Sequence, residues 1–410
     1  MKKKLLLLSL VFHSFIATAF EGKAEVNGIN YYIITKGAVA EVISKSSGYN
    51  GDIVIPSTIE YDGVTCSVTS IGNSAFYYET GLTSIVIPNS VIKIGIGAFL
   101  NCSKLKSVNI PETVASIGDQ AFFKCVGLET VKTDNIESWC KMEIGNDANP
   151  LPYAQHFIVG NEEVENLVLP STVTSICSRA FHGYKGLKTI SISENTTSIG
   201  DYAFFQCTGL TTAILPNSIT SIGVDAFYGC SALTDLSLSS GLTTISHSCF
   251  EGCVSLTTLD IPSSITSIEI YAFSGCKNLK TINFGSGLKT LGLKAFAGCS
   301  ELTDVYCWSD NPPRVEGYYN PYTMPFYGSH VEYATLHVPE ASISDYQSNS
   351  VWKNFGHIVS LTEGTGVSTI ELNRKDTETY YSLDGRPANS QSRGLIIIRT
   401  NNGTTRKVIK

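Results

Sequence analysis

A phenylalanine returns through most of this chain at a fixed interval, and that interval limits the fold more than any other feature. The anchors are Phe76, Phe99, Phe122, Phe181, Phe204, Phe227, Phe250, Phe273 and Phe296, usually preceded by Ala. Neighbours lie 23 residues apart, except for the 59 residues between Phe122 and Phe181. The rest of the phrase keeps step. A Leu sits six residues after each anchor, from Leu82 to Leu302, and an Ile or Leu five before it, from Ile71 to Leu291. A period of this size is the signature of stacked coils.

Each repeat opens with an apolar-x-apolar pair, as in Val108 and Ile110, which is strand spacing. Proline follows at Pro88, Pro111, Pro170, Pro216 and Pro262, where its missing N–H ends a ladder. No stretch sustains a helical period, and a 23-residue unit leaves no room for a long helix. The unit is therefore mostly β with short turn or 3-10 segments. One coil cannot offset the entropy of its own ordering with so few apolar residues. Coils stacked in parallel register at about 4.8 Å bury Phe on Phe and Ile on Ile and make the ladder continuous. Gly follows the Ile at positions 72, 95, 118, 200, 223 and 292 but is replaced by Cys177, Ser246 and Glu269, so a left-handed backbone is not demanded there.

Charged residues are 16% of the chain, below the usual ~25%, as expected where like charges in one column would face each other at strand spacing. The net charge of -7 gives no basic footprint for nucleic acid. Lys2, Lys3 and Lys4 precede an apolar run over residues 5–16, and Ala17-Thr18-Ala19 offers a cleavage site. Residues 1–19 thus read as a secretory signal, and no other apolar stretch approaches a membrane span. Of twelve cysteines, seven fall three residues after the Phe: Cys102, Cys125, Cys207, Cys230, Cys253, Cys276 and Cys299. That placement reads as a small-hydrophobe column of buried free thiols.

The phrase Leu-x-x-apolar-x-Ile-Pro-x-x-Val-x-Ser-Ile-Gly-x-x-Ala-Phe-x-x-Cys resembles the BspA-type leucine-rich repeat, over about residues 50–307. The resemblance implies a right-handed leucine-rich-repeat solenoid with a parallel sheet on one face. It also implies a secreted or surface location, of the kind common in Bacteroidetes, and a binding or adhesion role. Residues 20–70 read as an N-terminal cap, 71–302 as the solenoid with an enlarged repeat at 131–166, and 303–361 as a C-terminal cap. Residues 362–410 form a small β tail with turn signals at Asp384-Gly385 and Asn402-Gly403. The tail is similar to modules that act as sorting signals, and a plain terminal sheet is the alternative.

No catalytic, cofactor or metal motif is read. His247, Cys249 and Cys253 fall into repeat register, and Gly95-Ile96-Gly97 lacks the last Gly of a dinucleotide loop. Asp134, Glu137, Trp139, Glu143, Asp147 and His156 gather acids and an aromatic in the enlarged repeat. They suit either sugar hydrolysis or a solvated loop with a packed Trp. The favoured function is a non-enzymatic surface binding protein that presents its sheet face to an extracellular protein, through Lys106, Asn109, Lys188, Thr212, Asp235, Thr258, Asp260, Lys280 and Asn283. The alternative is glycan or cell-wall binding on the cap aromatics Trp308, Tyr318, Tyr319, Tyr322, Phe326 and Tyr327, whose plainer reading is a cap core filled with aromatics.

Overall fold

The computed structural model describes residues 20–317 and 320–361 and, beyond them, the backbone of strands within 378–409. The signal segment, Tyr318, Tyr319, Asp384-Gly385 and Asn402-Gly403 lie outside the described residues. Two compact units divide the chain, 1–360 and 361–410.

The first unit is a solenoid whose coils each run through two short strands and a turn. In the coil of Phe122 the strand Ser107–Asn109 points Val108 inward. It pairs in parallel with Thr130–Thr133 of the next coil, Val108 on Val131. Proline closes the strand, and its carbonyl accepts the N–H three residues on: Val114 from Pro111 and Ile219 from Pro216, each at 3.0 Å. The β-turn so formed feeds the second strand, Ser116–Ile117, which pairs with Lys93–Ile94 before it and Glu143–Ile144 after it.

The third side of each coil is a turn ladder centred on the Phe. Residues two before and two after it have positive φ in every coil, as in Tyr202 (58°) with Gln206 (53°) and Asp225 (55°) with Gly229 (69°). Alternating right- and left-handed residues turn every second amide along the solenoid axis. The N–H groups of Asp225, Phe227 and Gly229 donate to His247, Cys249 and Glu251 of the next coil at 3.1, 2.8 and 2.7 Å. The amides between close the turn: Tyr228 on Asp225 and Cys230 on Phe227. A non-glycine left-handed residue costs about 1–2 kcal/mol, and the inter-coil bonds offset it. Turns, not 3-10 segments, therefore fill this side.

Inside, consecutive Phe rings stack, for example Phe181–Phe204 at 5.3 Å and 5° and Phe204–Phe227 at 5.1 Å and 14°. Tyr49 meets Phe76 at one end, and Phe326 continues the stack from Phe296 at the other. In the enlarged repeat Trp139 and Phe157 fill the column, and Phe157 meets Phe181 edge-on. All twelve cysteines are free thiols. The seven column thiols lie beneath the Phe carbonyl of the preceding coil and donate to it, from 3.0 Å at Cys102 to 3.5 Å at Cys299. The column is thus a weak-donor slot as well as a small one.

The strand ladders are not continuous, which corrects the expectation of one unbroken spine. Each ladder splits into three sheets. The first division follows the enlarged repeat, where His156–Val159 turns back on Glu162–Glu163 as an antiparallel hairpin and Asn166–Val168 starts a new sheet. The second falls between residues 221–237 and 244–261: Ser221–Ile222 does not pair with Thr244–Ile245, nor Asp235–Ser237 with Thr258–Ile261. The turn ladder, the Phe227–Phe250 stack (5.2 Å) and the Cys253 thiol bond to the Phe227 carbonyl (3.4 Å) cross it unchanged.

The glycine after the Ile accounts for where the second ladder parts. Its φ is not positive at any of the six positions, but a Cβ there would strike the preceding coil. At Gly200 it would stand 2.5 Å from the Ser178 nitrogen, and at Gly95 2.6 Å from that of Asn73. The second ladder breaks just ahead of Cys177 and Ser246, two of the three coils that lack this glycine. At Ser246 the hydroxyl, not the N–H, reaches the Ile222 carbonyl, at 2.5 Å. Glu269, the third exception, keeps its ladder, and its carboxylate accepts the His247 N–H at 2.9 Å.

The N-terminal hairpin Glu21–Val26 with Ile29–Ile34 turns at Asn27-Gly28, both with positive φ. It leads through Val39–Val42 onto the first solenoid strand, Val64–Ile71. At the other end Thr335–Val338 and His357–Ser360 add two parallel strands, with the short helix Ile343–Ser348 between them. Within the second unit, Pro387–Ala388, Glu378–Ser382, Leu395–Thr400 and Thr405–Ile409 form an antiparallel sheet in that order.

Candidate binding face

The longer strands of each coil turn alternate side chains outward, and register sorts the sequence-predicted residues into three columns. Lys106, Lys188 and Lys280 share the first, where each donates its backbone N–H to the preceding coil. Thr212 lies beside Asp235, and Thr258 occupies the same column. Asn109 shares the third with Asp260 and Asn283. All nine are exposed or half-exposed, but the ladder divisions distribute them over three sheets.

Several are already engaged. Lys106 pairs with Glu129 of the next coil, and Asn283 donates to Asp260 at 2.5 Å. Lys188 and Lys280 lie four coils apart, about 19 Å at ~4.8 Å per coil, well beyond a Debye length of ~8 Å. The face therefore carries separated single charges and no focused field. Threonine hydroxyls stitch its margin, Thr211 onto the Lys188 carbonyl at 3.1 Å and Thr303 onto that of Lys280 at 3.2 Å.

Sequence reasoning passed over the apolar members of the third column. Val54 stands beside Val86, and Val168 and Ile214 flank Ser191. They are 65%, 51%, 69% and 54% exposed. The apolar-x-apolar spacing marks the inward residues, and the signal available was an apolar x between them. Near the C-terminal cap the same column becomes Tyr306 and His337, stacked at 4.2 Å, with His337 Nε2 3.1 Å from Asp304.

The acids of the enlarged repeat do not converge. Trp139 is buried, and its Nε1 donates to the Ala180 carbonyl at 2.8 Å. Glu137 faces outward on the helix Ile136–Lys141, which Asn135 caps through its side chain. Its carboxylate accepts from Lys141 at 2.6 Å and Thr172 at 2.5 Å, and those bonds hold it below the ordinary carboxylate range. A general acid needs the opposite shift. His156 pairs with Glu163 at 2.7 Å. No group of three or more His, Cys, Asp or Glu among the described residues is placed to hold a metal. Of the cap aromatics, Phe326 belongs to the core, because it extends the Phe column. Trp308, Tyr322 and Tyr327 are exposed, with Tyr322 edge-on to Tyr327 at 6.0 Å. No helix among the described residues is long and apolar enough to cross a membrane.

Six copies of the BspA type leucine-rich repeat region match this chain, over residues 69–142, 156–262 and 243–312. They cover more than half of it, so the chain belongs to that family. Among solved structures, the chain is similar to a leucine-rich cell surface protein from Faecalibacterium prausnitzii. The identity is 22%, over 84% of this chain and 95% of that one, with a TM-score of 0.49. It is also similar to a leucine-rich repeat protein from Bacteroides ovatus (24% identity, 69% and 94% covered, TM-score 0.28). A third similar structure is the pneumococcal vaccine antigen PcpA (17% identity, 84% and 99% covered, TM-score 0.46). No curated protein matches the chain.

Proposed function

We propose that this is an exported, surface-located binding protein whose outward strand columns receive an extended macromolecular partner, most directly a protein. The observation that carries the reading is the third column, where Val54, Val86, Val168 and Ile214 stand in water among amides and acids. Large apolar side chains aligned on one face fit a surface that a partner covers, whereas polar residues alone would fit a solvated sheet. The basic and apolar start of the chain (Lys2 to Lys4, then residues 5–16) supports export.

The test is binding of the full mature chain to immobilised extracellular matrix and cell-surface proteins, with a Val168→Asp/Ile214→Asp variant beside it. Both positions are exposed, so the fold is retained, which circular dichroism checks. Affinity is expected to fall at least tenfold, about 1.4 kcal/mol. Equal affinity of the two proteins for every captured partner refutes the strand-face reading. A second reading, glycan binding at the C-terminal cap, rests on the exposed Tyr322–Tyr327 pair and Trp308, and a blank glycan array removes it.

A further inference from the structure

Cys140 and Cys177 stand apart from the thiol column. Cys140 is buried in the helix Ile136–Lys141, and Cys177 is the one cysteine among the described residues that is not fully buried. The Cys177 N–H donates to the Cys140 carbonyl at 2.8 Å. The Cys177 sulfur lies 3.7 Å from the carbonyl of Trp139, the residue before Cys140. This bond puts the two backbones in direct contact, as a bridge with Cα atoms ~4.4–6.8 Å apart requires. A shallow depression is lined by Cys177 together with Ser178, Gly200, Asp201 and Gly223. Cys177 takes the slot that glycine holds in most coils, and the second ladder is interrupted immediately ahead of it.

We propose that Cys140 and Cys177 are a dithiol pair that closes into a disulfide when a disulfide oxidant is supplied, clamping the enlarged repeat to the block that follows. The Cys177 thiolate attacks one sulfur of a small disulfide such as oxidised glutathione, giving a mixed disulfide and one released thiolate. Cys140 then yields its proton to solvent, and its sulfur attacks that of Cys177 and expels the second thiolate. Two protein thiols lose two electrons and two protons, and one disulfide is reduced to two thiols. The bond supplies a covalent link where the strand ladder has none. Burial pushes the Cys177 thiol up to about 12 and raises that of Cys140, on which Cys177 acts as well. Closure is therefore slow near neutral pH and quickens as the thiolate fraction grows. It behaves as a staple set in an oxidising compartment and not as a rapid switch.

The experiment treats the full native chain with oxidised glutathione at pH 8.5, alkylates remaining thiols in denaturant, and maps peptides by mass spectrometry. The expected product is lighter by about 2 Da, with a single cross-linked peptide pair joining Cys140 to Cys177 and the column cysteines alkylated. In Cys140→Ser, folded by circular dichroism, the reaction stops at a glutathione adduct on Cys177. A wild-type protein that also stops at that adduct, that bridges a different pair, or that remains fully reduced overturns the proposal. The initial rate is expected to rise roughly tenfold between pH 7.5 and 8.5, and a flat profile also counts against it.

Discussion

Replacing Phe227 with Ala tests how this solenoid is held together, because the result should depend on which coil interface loses the ring. Phe227 is fully buried between Phe204 at 5.1 Å and Phe250 at 5.2 Å. Turn-ladder bonds fix both neighbours, so the site cannot collapse, and the cost is about 3–5 kcal/mol. Phe204→Ala removes the same ring between Phe181 and Phe227, at similar cost. The surroundings differ. The coil of Phe204 is tied to both neighbours by strands, Thr189–Ser191 and Ser198–Ile199. Between the coils of Phe227 and Phe250 the second strand ladder is parted, and the first parts one coil later, after Thr212–Ile214 has paired with Asp235–Ser237. In a solenoid, coil stabilities and nearest-neighbour terms add. Phe204→Ala should therefore lower the midpoint of one cooperative transition. Phe227→Ala should divide unfolding into two, with a shallower apparent urea dependence and hydrogen exchange released separately on either side of residues 237–244. Urea titration by circular dichroism, with peptide-resolved exchange, reads both. A loss under about 1 kcal/mol for either variant refutes the stacked-column account. Indistinguishable single transitions with equal slopes refute the claim that the ladder division weakens coupling.

Two further outcomes follow from the same geometry. Gly200→Ala should cost about 1–3 kcal/mol by overpacking although its φ is ordinary, because the new methyl would meet the Ser178 nitrogen at 2.5 Å and the Cys177 carbonyl carbon at 2.8 Å; an unchanged urea midpoint would contradict this. His182 is held below its ordinary 6.5, first by burial and then by the Arg179 guanidinium. Well above pH 6.5 the ring is neutral both folded and unfolded and adds no pH dependence. Below it the unfolded chain binds the proton first, so stability falls as pH falls, until the folded form also protonates. His182→Phe should remove that slope, and proton NMR should place the wild-type ring's midpoint under 6.5.

The chain discloses its lateral order far better than its axial order, for a physical reason. Which residue faces inward within a coil follows from the offset to Phe, and every inward Leu, Ile and Phe of the repeat reads correctly. The turn ladder was half visible. Gly183, Gly229, Gly252, Gly275 and Gly298 form a glycine column two residues after the Phe, and all have positive φ. The matching column two before it is held by Ser74, Gln120, Arg179, Tyr202 and others, where inter-coil hydrogen bonds override the intrinsic preference and no residue type betrays the conformation. A core place for Phe326 agrees with the reading of the cap aromatics as cap core, but its membership of the Phe stack was hidden because it lies 30 residues after Phe296. On the candidate face, polar outward positions were legible, but exposed Val168 and Ile214 were not, since an apolar residue in a strand is first taken for core.

Continuity between coils depends on something a period cannot encode, namely whether one backbone can approach another to within a Cβ. Glycine after the Ile grants that approach, and Cys177 and Ser246 withdraw it at the two places where the second ladder parts. Glu269 shows that the rule is permissive and not absolute, because its N–H still reaches the Ile245 carbonyl at 2.9 Å while its carboxylate accepts the His247 N–H. A glycine-to-serine exchange that looks silent in the repeat pattern therefore decides where the solenoid is stiff and where it can yield, and with it how far one rigid strand face extends toward a partner.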